Sequence, residues 1–167
     1  LPNQNHEFLD GEYPYTLNPG GPNHEELTSL IGIYEYFNDL YKHHFNDDEE
    51  SILKKIEKIN ILISQHEEEV GNIFLNHINS KKNIKLIGQK QISNKNRAPT
   101  FSFTVDDQTS KDISKILVSN KIATRNDNFY AWRCLKYLGI DTNDGVIRIS
   151  MAHYNSKDDI NNLINAI

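Results

Sequence analysis

Arg125 and Arg148, in the last third of the chain, are the residues best suited to holding a small anion. Arg125 follows Ile122-Ala123-Thr124 and opens the polar run Asn126-Asp127-Asn128, while Arg148 stands inside the apolar string Val146-Ile147-Arg148-Ile149. A guanidinium presents a planar fork of N–H donors that matches a carboxylate, and it stays charged at any working pH. An amino-acid substrate carries such a carboxylate. An arginine in either place can also be an exposed or structural cation, and Arg148 in particular can pair with an acid or support a wall. Gly20-Gly21, just ahead of Asn23, is a second anion signal. Backbone N–H groups bared by paired glycines beside a helix start can bind a phosphate, although most such pairs are only turns. Cys134 is the single cysteine, which excludes an internal disulfide framework and fits a reducing compartment. The histidines show no HExxH pairing, and His43 and His44 are adjacent and diverge around a helix, so no metal site is expected.

The elements that must position these residues can be read from hydrophobic spacing. Residues 1–23 hold four of the five prolines and three of the eight glycines, so this leader is expected to be extended and turn-rich. A first helix is predicted from His24 to His44, capped by Asn23, with Leu27, Leu30, Ile31, Tyr34, Phe37 and Tyr41 on one stripe and expected in a core. A second, of about 30 residues at ordinary helical rise, starts near Asp47-Asp48-Glu49-Glu50 and is long enough to link two domains. Gly71 within it marks a bend or a close contact. Short strands are predicted at Ile84–Gly88, Thr100–Val105 and Ile122–Thr124, the last delivering Arg125 to its end, and a fourth at Val146–Met151. Helices are predicted at Ser110–Asn120, Phe129–Leu138 and after Tyr154-Asn155-Ser156. This order gives an α+β domain with a small, largely antiparallel sheet covered by helices and preceded by a long linking helix.

Composition bounds the functional class. Acidic residues number 23 against 18 basic, a net charge of -5 spread along the chain, which argues against a nucleic-acid role. No apolar run approaches the ~20 residues of a membrane span and no signal peptide opens the sequence, so a cytoplasmic protein without membrane contact is expected.

The string Arg148-Ile149-Ser150-Met151-Ala152-His153-Tyr154-Asn155-Ser156, with the acidic helix after it, resembles the end of the class V aminotransferase-like enzymes. This is the fold-type I, pyridoxal-phosphate (PLP) group that includes the cysteine desulfurases, whose chains finish with Arg-x-Ser-x-x-x-Tyr-Asn-Thr. Ala123-Thr124-Arg125 stands where the desulfurases carry Ala-Val-Arg. Pro19-Gly20 and Pro22-Asn23 are similar to a Glu-Pro-Gly-Thr-Pro-Asn-like segment, with Asn18 in place of the glutamate and Gly21 in place of the threonine. The resemblance implies that Arg125 holds a substrate α-carboxylate, while Arg148 is a second substrate-binding candidate whose role stays open. It also implies that Gly20 and Gly21 contact the PLP phosphate of the partner subunit in a homodimer. It further implies that 1-45 closes a PLP-binding large domain, that 46-80 is the linking helix and that 81-167 is the C-terminal small domain. The Schiff-base lysine would then lie upstream of Leu1, and this piece alone would not be catalytic. Lys42, Lys54, Lys55 and Lys58 read as surface charges. Two departures bear on chemistry: Tyr130 occupies the place of the desulfurase nucleophile, five residues after Arg125, and Asp127 replaces a glycine. A phenol cannot carry a persulfide, and Cys134, one helical turn further on, is at best a displaced candidate. Transamination and carbon–sulfur cleavage both stay open. A non-catalytic α+β interaction module that retains the fold is the alternative.

Overall fold

The computed structural model describes residues 20–47, 49, 51–93 and 97–167. The leader before Gly20, with Asn18 and Pro19, lies outside the described residues, as do Asp48 and Glu50 of the acidic run and Asn94 to Asn96 of the polar loop. The chain forms two compact units, divided in sequence between Ile59 and Asn60.

The first unit contains α1 (His24–His44) and the start of α2 (Ile52–Ser80). Asn23 caps α1 as its side-chain oxygen accepts from the Glu26 amide at 3.2 Å. Tyr41 is the buried residue of this helix, its ring stacked on Phe45 at 5.0 Å. Lys55 and Lys58 lie over the same ring, and Lys58 also donates to the Tyr41 hydroxyl and pairs with Asp47. The rest of the predicted apolar stripe is not core here: Leu27, Leu30, Ile31 and Tyr34 are each about half exposed. An amphipathic period shows that a face needs a partner, and among the described residues of this unit none covers it.

The second unit is the α+β domain. Its strands are β1 (Ile84–Ile87), β2 (Thr100–Val105), β3 (Arg125–Asp127) and β4 (Val146–Ser150), in the spatial order β1-β2-β4-β3 with every neighbour antiparallel. Helices α3 (Ser110–Ser119), α4 (Trp132–Tyr137) and α5 (Lys157–Ala166) complete it. Side chains alternate along a strand, so one face of the sheet takes Phe101, Phe103, Val105, Ile147 and Ile149, all buried. That face packs with Val70, Phe74, Leu75 and Ile78 of α2, Ile113 and Leu117 of α3, and Ile160 and Leu163 of α5 in one apolar cluster. Phe74 sits at its centre, 5.3 Å from the ring of Phe101 and 6.1 Å from that of Phe103. Each fully buried side chain of this size contributes about 1.5–3 kcal/mol. Gly71 makes the close contact: a Cβ there would lie 3.0 Å from Ile92 Cδ1 and 3.2 Å from Phe101 Cζ.

Two elements differ from their sequence prediction. Ile122–Thr124 is not strand, and β3 begins at Arg125, so the arginine opens the strand instead of ending it. Phe129–Leu138 is not one helix, because Phe129 and Tyr130 both have positive φ and α4 starts only at Trp132.

Candidate functional site

Arg125 and Arg148 stand directly opposite each other on β3 and β4. Opposed residues of an antiparallel pair project to the same side, and Arg148 alternates with buried Ile147 and Ile149, so both arginines occupy the face away from the core. The same cross-sheet row continues through Ser102 of β2. Thr100, Thr104 and Ser150 share this polar face by the same alternation.

Like charges set directly opposite each other repel, and among the described residues neither guanidinium forms an ion pair. The Arg148 Nε is buried without a hydrogen-bond partner. Its guanidinium carbon lies 4.3 Å from the centre of the Phe129 ring. A cation over a ring face is attracted by the ring's electron density, a contact that uses none of the guanidinium's N–H donors. Two adjacent cations, paired with no acid among the described residues and one with an unpartnered buried donor, have the chemistry to attract an anion such as a carboxylate.

Local chemistry fixes this arrangement. The turn after β3 is held by Asn128, whose side-chain oxygen accepts from the Tyr130 amide at 3.0 Å and whose side-chain nitrogen donates to the Thr142 carbonyl at 3.3 Å. The Ala131 amide closes the turn onto the Asn128 carbonyl at 2.8 Å. Phe129 and Tyr130 are consequently left-handed, with φ of 53° and 59°. The Tyr130 phenol is 99% exposed. On the other side of β3, the Asp144 carboxylate accepts from the Ser110 amide at 2.9 and 3.0 Å, and Asn126 donates to the Ser110 hydroxyl at 3.1 Å. Gly145, at φ 76°, lets β3 come close, since a Cβ there would stand 2.2 Å from the Asp127 carbonyl carbon.

The remaining predicted residues are not gathered here. Cys134 is exposed on α4, and because Tyr130 precedes that helix in a left-handed turn the two are not one helical turn apart. Lys54 pairs with Glu49, and Lys55 and Lys58 are engaged around Tyr41, so these lysines serve local structure. Gly20 and Gly21 belong to the first unit. Both are exposed, and a Cβ at either would meet nothing within 4 Å. Open glycine backbone ahead of the α1 amino terminus is a donor set that fits a phosphate, through backbone N–H alone. Glu25 and Glu26 in the first turn of α1 supply the opposing charge. Among the described residues, no three metal-ligating side chains cluster, and no helix is long and apolar enough to cross a membrane.

Sequence reasoning did not single out Phe129, whose ring against Arg148 depends on a left-handed turn that aromatic residues seldom adopt. It also did not find the cavity of about 600 Å³ beside α5, lined by Thr124, Ile149, Ser150, Asn155 and Leu163 among others. The arginines do not line that cavity, so the candidate site is the polar face of the sheet and not this cavity.

The sequence profile of the family described as aminotransferase class V matches residues 50–163. The aminotransferase-like protein FGM3 of Gibberella zeae is 28% identical over 107 residues, which cover 63% of this chain and 26% of that protein. A probable cysteine desulfurase of Pseudomonas putida is 26% identical over 105 residues, 63% of this chain and 24% of that one. The crystal structure of the cysteine desulfurase CsdA (S-sulfonic acid) from Escherichia coli superposes with a TM-score of 0.65 at 20% identity, covering 92% of this chain and 32% of that one. The matched segment thus spans about a quarter of the length of these curated relatives. The chain belongs to the aminotransferase class V family of fold-type I, PLP-dependent proteins.

Proposed function

We propose that this chain is the C-terminal portion of a PLP-dependent enzyme acting on an amino acid, by class V aminotransferase or cysteine desulfurase-like chemistry. In this reading 1-45 ends the large cofactor domain, 46-80 links, and 81-167 is the small domain that supplies the substrate-side wall. The observation that carries it is the opposed pair Arg125 and Arg148, unneutralised by any described acid and with the Arg148 Nε buried and free. An α-carboxylate at this face accepts from the Arg148 guanidinium, and Arg125 adds a second cation across the strand pair. The mutual repulsion of the two arginines is then relieved by the ligand. PLP, when bound, supplies the electron sink for chemistry at the α-carbon. Gly20 and Gly21 would hold its phosphate from the partner subunit of a homodimer through backbone N–H groups. The apolar α1 residues left uncovered in the first unit fit this division, since they would be covered by the remainder of the large domain.

Tyr130 bears on the reaction type. A fully exposed phenol stands where the desulfurases carry their sulfur acceptor, so the proposal is for amino-acid chemistry that leaves no persulfide at this position. Replacing Arg148 by Gln in the full-length protein tests the clamp. A charged hydrogen-bond pair lost from the site raises the KM for the amino acid about 10- to 100-fold, with the PLP absorbance band unchanged. An unchanged KM would remove Arg148 from the site.

A further inference from the structure

We infer that Phe129 is a positioning residue for the carboxylate site, and that the strained turn carrying it exists to press its ring against Arg148. The inference rests on the reading of Arg148 as a carboxylate ligand and adds a requirement to it.

Backbone conformation is the first observation. Phe129 and Tyr130 are consecutive non-glycine residues with φ of 53° and 59°. Each carries a steric penalty between Cβ and the backbone, and two bulky aromatics in succession persist only where the surroundings impose it. Asn128 imposes it here: its side chain bonds forward to the Tyr130 amide and across to Thr142, and its carbonyl accepts from Ala131. A relaxed turn would carry the ring of Phe129 elsewhere.

The second observation is what that conformation achieves. The Phe129 ring stacks on the Arg148 guanidinium at 4.3 Å, and no acid among the described residues competes for the cation. An arginine side chain is long and loses much rotamer freedom when a ligand fixes it. A ring in contact with the cation pre-orders it before the ligand arrives without using its N–H donors, among them the unpartnered Nε. The same turn sends the next side chain, Tyr130, fully into solvent. One strained pair of residues therefore sets a ring against the arginine and turns Tyr130 to solvent.

The test uses the full-length protein with Phe129→Leu, Phe129→Asn, Phe129→Tyr and Arg148→Gln. L-alanine binding is read by calorimetry, and the KM and kcat for the amino-acid substrate by kinetics. Leucine keeps bulk without a ring, asparagine relaxes a left-handed backbone without a ring, and tyrosine keeps the ring. The expected result is an L-alanine Kd and a KM raised about tenfold in both ringless variants, kcat within about twofold, and values near wild type for Phe129→Tyr. Wild-type affinity in Phe129→Asn would overturn the inference even if Phe129→Leu failed to fold, because the ring would then be dispensable. Weakened binding in Arg148→Gln with unchanged binding in Phe129→Leu would overturn this inference alone. Unchanged binding in Arg148→Gln, or no L-alanine binding by the wild-type protein, would overturn the clamp reading and this one with it.

Discussion

The two faces of the four-stranded sheet obey opposite rules. On the inner face Phe101, Phe103, Ile147 and Ile149 are fully packed against α2, α3 and α5. On the outer face, one residue away along the same strands, Arg148 and Arg125 stand opposed with no acid among the described residues paired to them. The inner face spends its residues on stability, and the outer face tolerates a repulsive pair that a stable fold has no use for. Under the proposed function that contrast separates residues that pack from residues that would bind a ligand, and substitution on each face should move different observables.

The largest effect belongs to the inner face. Phe74→Ala removes the ring packed against both Phe101 and Phe103 and should cost about 3–5 kcal/mol of folding stability, measured by the urea unfolding midpoint. Any protein that remains folded should keep its KM. A smaller effect tests α5, the closing helix packed on the inner face. Ser156 caps α5 in a capping box, accepting from the Asp159 amide while Asp159 accepts from the Ser156 amide. The Asp159 carboxyl is held below the usual carboxylate range first by the Ser156 backbone N–H and then by the Ser156 hydroxyl. A carboxyl lowered by folding stabilises above its unfolded pKa, and that contribution is lost as pH falls through the lowered value. Ser156→Ala removes the N-cap hydroxyl and should reduce stability by about 1 kcal/mol at neutral pH. The difference from wild type should narrow in acid, as followed by unfolding midpoints across pH.

What could be read from the sequence follows from how local each signal is. The bounds of α1, the length of α2, the strand Thr100–Val105 and the cap at Ser156 rest on short-range periodicity and capping residues, and the structure has them where the pattern places them. β3 was not legible. Ile122-Ala123-Thr124 has the better strand composition, yet Arg125-Asn126-Asp127 forms the strand. Pairing opposite Val146–Arg148, the Ser110–Asp144–Asn126 network and the space left by Gly145 decide it, and all of these are distant in sequence. Phe129 and Tyr130 misled for the same reason, since helical spacing continues through them while Asn128 forces a left-handed turn. The arginines themselves were legible by type and by resemblance. Their direct opposition, and the ring beneath one of them, required the register.

The most direct measurement on the outer face is Arg125→Gln in the full-length protein, read by unfolding midpoint and KM together. A residue opposed by a like charge and bound to no acid adds nothing to the fold, so the midpoint should stay level or rise slightly, by a few tenths of a kcal/mol to about 1 kcal/mol. The KM for the amino acid should rise about tenfold or more in the same variant. A lowered midpoint with an unchanged KM would contradict the account, because Arg125 would then belong with the packed face as a structural residue.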